Sequence, residues 1–179
     1  MRNTAATERK LAEAQRVFFA AADSVAVHQW NIKPASESWS AAEVVAHVMM
    51  VERTVIDGAH RITQKTPRKI PFHQRIHLPL WLVEARIIKR KTPIPLDPNL
   101  LCEKQAMLSG IHSARERTLA FMEKTKELDL SKYCWPHPFL GMLNAYEWLE
   151  MIAAHQIRHA KQVKEIVERL PKVGESSRK

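Results

Sequence analysis

Two histidines on an apolar stripe set the tightest limit on how this chain folds. Around Ala153-Ala154-His155-Gln156-Ile157-Arg158-His159, the residues Leu149, Ile152, Val163 and Ile166 recur at the spacing of one helix face, and His155 and His159 fall on the same line. Four residues of α-helix turn through about 400°, so the two rings stand one turn apart and about 40° from eclipsed. Both should then point inward. A buried neutral imidazole carries a donor and an acceptor, each needing a partner. Two arrangements meet that need: a hydrogen-bonded pair of core histidines, or two ligands on one metal ion.

The same periodicity runs through most of the chain. Leu11, Ala14, Phe18, Ala21 and Val25 predict an amphipathic helix over about Thr7 to His28, and Trp30 to Trp39, broken by Pro34, reads as a loop. Ser40-Ala41-Ala42-Glu43 is a capping box that opens a second helix reaching about Gln64. Its inner stripe is Val44, His47, Val48, Val51 and Val55, so His47 also lies on a core face, either as a structural histidine or as a third ligand. A third helix is expected from about Asn99 to Leu128, with Leu101, Leu108, Ile111, Ala114, Thr118 and Met122 inward. The segment Tyr133 to Gly141, with Pro136 and Pro138, reads as an irregular loop whose aromatic residues wall a pocket. Asn144 and Glu147 repeat the capping-box logic for a final helix that runs to about Leu170, before Pro171 and a polar tail.

Between the second and third helices lies a long connection, about 65–99, with Pro67, Pro71, Pro79, Pro93, Pro95 and Pro98 and a short helix expected around Leu80 to Lys89. Short loops join antiparallel neighbours, whereas a crossover this long suits two successive parallel helices. The fold class is therefore all-α, a four-helix bundle of up-down-down-up topology, with the whole chain, 1–179, as one domain.

Charge is concentrated in that connection. Residues 61–91 hold nine basic side chains against the single acid Glu84, a net +8, so the rest of the chain is close to neutral within its total of +9. Such a segment is either a solvated connector or a docking site for an anionic partner; no nucleic-acid motif accompanies it, so nucleic acid is not an expected partner. No apolar run reaches the ~18 residues of a membrane span, and the patch Val17 to Ala22 is too short for a signal-peptide core. Cys102 and Cys134 lie far apart, as expected of reduced thiols in a cytoplasmic protein.

Three passages together resemble the DinB-like superfamily of metal-binding four-helix bundles. They are Trp39-Ser40-Ala41-Ala42-Glu43-Val44-Val45-Ala46-His47, then His137-Pro138-Phe139-Leu140-Gly141, and Glu147-Trp148 followed by His155-x-x-x-His159-x-x-Gln162. The resemblance covers nearly the whole chain. It implies a left-handed up-down-down-up bundle, often a homodimer, with His47, His155 and His159 binding one divalent ion. Members with an assigned reaction include thiol-dependent S-transferases and isomerases that use small bacterial thiols, and hydrolase-like proteins. The basic insert is longer than the family pattern leads one to expect.

Three imidazoles favour zinc or nickel over calcium or magnesium, and three protein ligands leave a coordination position open. The expected function is a metal-dependent enzyme, in which the ion activates a small thiol or water toward a small-molecule substrate by transfer or hydrolysis. The rivals are a bundle that binds metal without catalysis, or a regulatory module whose basic insert docks on an anionic partner. Glu43 and Gln162 are placed to orient the ligand rings, and His137 and Trp148 to line the substrate pocket. Arg158 should face the surface. Gln156 occupies the acid position of a His-Glu-x-x-His peptidase pattern, and Ile152 that of a Glu-x-x-His di-iron pair, so both of those chemistries are excluded.

Overall fold

The computed structural model describes residues 4–67, 79–85 and 100–170. Four long helices carry the fold: α1 (Thr4–Asp23), α2 (Ala41–Thr63), α4 (Lys104–Lys124) and α5 (Ala145–Arg169). A short α3 (Trp81–Ala85) packs on α5 from within the crossover, and a two-stranded hairpin, β1 (Cys134–His137) and β2 (Gly141–Asn144), leads directly into α5.

Side-chain pairs give each helix its direction. Glu52 bonds Arg115, Asp57 bonds Arg117 and His60 lies against Phe121, so positions rise together along α2 and α4 and the two helices are parallel. Lys10 bonds Glu150, while Phe18 and Ala22 share a core cluster with Val163 and Ile166, so α1 and α5 are parallel as well. His47, near the start of α2, meets the middle of α5, whereas Val55 and Ile56 share core with Leu149 and Ile152, so α2 opposes α5. The bundle is up-down-down-up, and the long crossover carries the chain back between its two parallel members.

Both capping boxes form. Ser40 Oγ accepts from Glu43 N at 3.2 Å and Glu43 Oε2 accepts from Ser40 N at 2.8 Å; Asn144 and Glu147 make the same exchange at 3.1 and 2.8 Å. Ser40 is buried, so its loss strands a backbone N–H that water reaches poorly. Ser40→Ala should cost about 1 kcal/mol, read as a lower urea midpoint.

Three sequence expectations change. The first helix ends at Asp23 rather than near His28, and Val27–Gln29 forms a separate 3₁₀ turn. The α4 helix begins at Lys104 and ends at Lys124, and Leu101, expected inward, precedes it with 38% of its surface exposed. The Tyr133–Gly141 segment is a hairpin, with Trp135 opposite Leu143 and His137 opposite Gly141. A two-stranded ribbon consists of edges, where Pro136 can turn its bondless nitrogen outward. Gly141 closes the turn at φ 98°, a region open to glycine and strained for other residues. Of the helix expected over Leu80 to Lys89, α3 supplies Trp81–Ala85 and Leu80 is a turn before it; residues 86–89, most of the basic segment and the polar tail lie outside the described residues.

The buried apolar residues form two clusters, one toward each end of the bundle. One gathers Phe18, Val25, Trp30, Val44, Val48, Ile111 and Val163; the other gathers Leu11, Val55, Ile56, Phe121, Leu143, Leu149 and Ile152. On each of α2, α4 and α5, polar residues fall between the two clusters in sequence: Glu52 on α2, Arg115 with Thr118 on α4, and His155, Gln156 and His159 on α5. His47, within the first cluster's stretch of α2, joins His155.

Candidate metal centre

The α2 stripe delivers His47 and the α5 stripe delivers His155 and His159 to one point. His155 Nε2 stands 3.1 Å from His47 Nε2 and 3.1 Å from His159 Nε2. One ligand nitrogen from each ring lies within 4.8 Å of the others. His47 and His159 are buried, and His155 is partly exposed. Trp39 sits edge-on to His47 with ring centroids 5.1 Å apart and closes that side.

Gln162 Oε1 lies 2.8 Å from His159 Nδ1 and accepts its proton, which leaves His159 Nε2 as the lone-pair nitrogen that faces His155. The Nδ1 of His47 is buried without a hydrogen-bond partner. Burial pushes the His47 imidazole down to about 4. His155 is held well below its ordinary value, first by burial and then by His159, His47, Arg158 and His137. The three rings thus bring their Nε2 atoms to one point, with His47 and His155 held neutral by burial. A cation accepts lone pairs from all three. Two nitrogens bound to one ion at about 2.0–2.1 Å stand about 3.0–3.4 Å apart, which brackets the 3.1 Å from His155 Nε2 to each of the other two.

A profile of the DinB superfamily matches residues 10–163. The chain belongs to the DinB superfamily. The protein YuaE of Bacillus subtilis (strain 168) is 30% identical over 141 residues, which make up 78% of this chain and 84% of YuaE. The crystal structure of TT2238, described as a four-helix bundle protein, superposes with a TM-score of 0.57 at 17% identity, covering 91% of this chain and 99% of that one. That likeness establishes the shared bundle fold. No described helix of this DinB-superfamily protein is long and apolar enough to cross a membrane.

Gln162 bonds His159, as its spacing predicts. Glu43 does not reach His47: one oxygen caps Ser40 N, the other pairs with Lys33 Nζ at 2.8 Å, and His47 Nδ1 is left without a bond. Capping uses the side chain because Glu43 is the third residue of the helix, where a carboxylate reaches back to the cap more readily than forward one turn. Trp148 is buried, donates Nε1–H to the Trp135 carbonyl at 3.2 Å and stacks on the Trp135 ring at 5.0 Å. The His137 ring lies 5.1 Å from that of Trp148. Arg158 reaches the Val83 carbonyl at 3.2 Å and helps tie α3 to α5.

One group of residues escaped the sequence reading. Arg115 bonds Glu52 twice, at 2.8 and 3.1 Å, reaches Gln156 Oε1 at 2.9 Å and also bonds the Leu11 carbonyl, while Thr118 adds a 2.7 Å bond to Glu52. All four long helices meet at this one guanidinium. A readable signal did exist. Glu52 is four residues after Val48 and Arg115 four after Ile111, so opposite charges occupy core positions on two helices that face each other.

Proposed function

We propose that His47, His155 and His159 together hold one divalent transition-metal ion, zinc or nickel, and that the protein is a metal-dependent enzyme acting on a small molecule. The convergence of three Nε2 atoms, with His159 oriented by Gln162, carries this reading. Among the described residues no carboxylate joins the set of three, and nitrogen donors suit zinc or nickel better than calcium or magnesium. Bound there, the ion would lower the pKa of a small thiol or a water to give a nucleophile for transfer or hydrolysis, and would polarise the electrophile.

The chain's own residues prepare that chemistry. Gln162 holds His159 in the tautomer that offers Nε2, Trp39 shields His47, and burial keeps His47 and His155 unprotonated at neutral pH. Partly exposed His155 marks the side from which a substrate enters. Replacing His155 by Ala should reduce bound metal from about one equivalent per chain to a small fraction of that, measured by elemental analysis of protein purified without an affinity column. Undiminished stoichiometric metal in the variant would reject the ligand assignment.

A further inference from the structure

One buried atom of the three-histidine centre lacks a partner. His47 is 5% exposed, and its Nδ1 makes no hydrogen bond, while its Nε2 is the nitrogen that faces His155. An imidazole that gives its Nε2 lone pair to an ion keeps its proton on Nδ1. An occupied centre therefore turns Nδ1 into a buried donor, which is costly until an acceptor reaches it.

A carboxylate stands one turn away. Glu43 and His47 lie four residues apart on α2, and so on one helix face. Trp39, just before the cap, meets the His47 ring edge-on at 5.1 Å and so spans the first turn, from which Glu43 projects. Only half of the Glu43 carboxylate is committed to capping. Its Oε2 accepts from Ser40 N at 2.8 Å, whereas Oε1 pairs with Lys33 Nζ, also at 2.8 Å. The Lys33 side chain is 46% exposed, so water and salt compete for its charge and the pair contributes little net stability. A buried N–H bonded to a carboxylate is a charge-assisted bond with no such competition.

We propose that Glu43 is a positioning residue for His47, and that filling the centre moves its Oε1 from Lys33 Nζ to His47 Nδ1–H while Oε2 stays on Ser40 N. This rests on the metal reading above and adds regulation to it. Affinity for the ion is coupled to a surface ion pair, and through Lys33 to the connection between α1 and α2. The coupling is reciprocal: whatever holds Glu43 on Lys33 weakens the ion, and the ion loosens Lys33.

Zinc affinity of chelator-treated protein, measured by competition with a chromophoric chelator, reads this exchange. Glu43→Gln preserves the capping box, since the amide oxygen accepts from Ser40 N, but it presents an NH₂ donor where Oε1 stood. Zinc should bind this variant about tenfold more weakly, with the urea midpoint of the metal-free protein close to wild type. Lys33→Met removes the competing cation and should tighten zinc by about two- to fivefold. Unchanged zinc affinity in Glu43→Gln, or zinc no tighter in Lys33→Met, would overturn the exchange and leave the three-histidine centre intact. Failure of wild-type protein to take up zinc would overturn both. In the zinc-loaded protein, ¹⁵N–¹H correlation should place His47 Nδ1–H further downfield than in zinc-loaded Glu43→Gln, and the same position in both would reject Glu43 as the acceptor.

Discussion

Arg115→Ala should cost about 3–5 kcal/mol of folding stability, the largest loss expected of any single side chain outside the apolar clusters. The cost comes less from the bonds removed than from what stays behind. Glu52 is 2% exposed and Arg115 3%, so truncating the arginine leaves a carboxylate in the middle of the bundle with Thr118 as its remaining partner. Gln156 Oε1 and the Leu11 carbonyl lose their donor at the same time. Urea unfolding should show the midpoint falling by more than about 1 M at an unchanged slope. A double replacement, Glu52→Leu with Arg115→Met, removes both charges and should recover most of the loss, because a buried ion pair contributes little net stability over apolar residues of similar volume. A loss below about 1 kcal/mol for Arg115→Ala would show that water reaches the pair.

Acid should destabilise the metal-free protein early. His47 titrates at about 4 in the folded chain, because of burial, and near its ordinary 6.5 when unfolded. Above 6.5 both states are neutral and the ring makes no pH-dependent contribution. Between 6.5 and about 4 the unfolded chain takes up a proton that the folded chain refuses, so stability falls as the pH falls. The span corresponds to about 3 kcal/mol from His47, and His155, shifted in the same direction by its own burial, adds to it. Chelator-treated protein unfolded by urea at a series of pH values measures this directly. His47→Leu should flatten the curve across that window, and an equally steep curve in the variant would assign the loss to other groups.

The parts of this fold that were legible in the sequence share a physical character. The α2 and α5 helices announce themselves because a cap residue, a reciprocating glutamate and a regular apolar stripe agree within each segment. The three histidines were legible for the same reason, since each interrupts a core stripe at the correct phase. The α4 boundary was not. Leu100 and Leu101 extend the helical spacing, and hydrophobicity alone cannot separate a continuing helix from an exposed approach to it. The hairpin was hidden by Pro136 and Pro138, which break a sheet interior but not an isolated ribbon. Glu43 shows how one side chain with two plausible partners goes to the nearer, since the cap lies within its own turn. The Glu52–Arg115 pair stayed unread because charges on a helix are normally assigned to water, and only the pairing of two facing helices reveals that each answers the other.

The polar residues that fall between the two apolar clusters have a consequence for how the histidines are aligned. Leucines and valines tolerate sliding, since one apolar contact resembles the next a turn away. A guanidinium that must satisfy Glu52, Gln156 and the Leu11 carbonyl together does not. Shifting α2 along α5 by one turn would strand charge in hydrocarbon, so these bonds act as a detent that locks the two helices at a single offset. His47 and Glu52 are separated by little more than one turn on α2, and Gln156 adjoins His155 on α5, so the notch that indexes the helices also indexes the histidines. The three rings are thereby brought together by the fold itself.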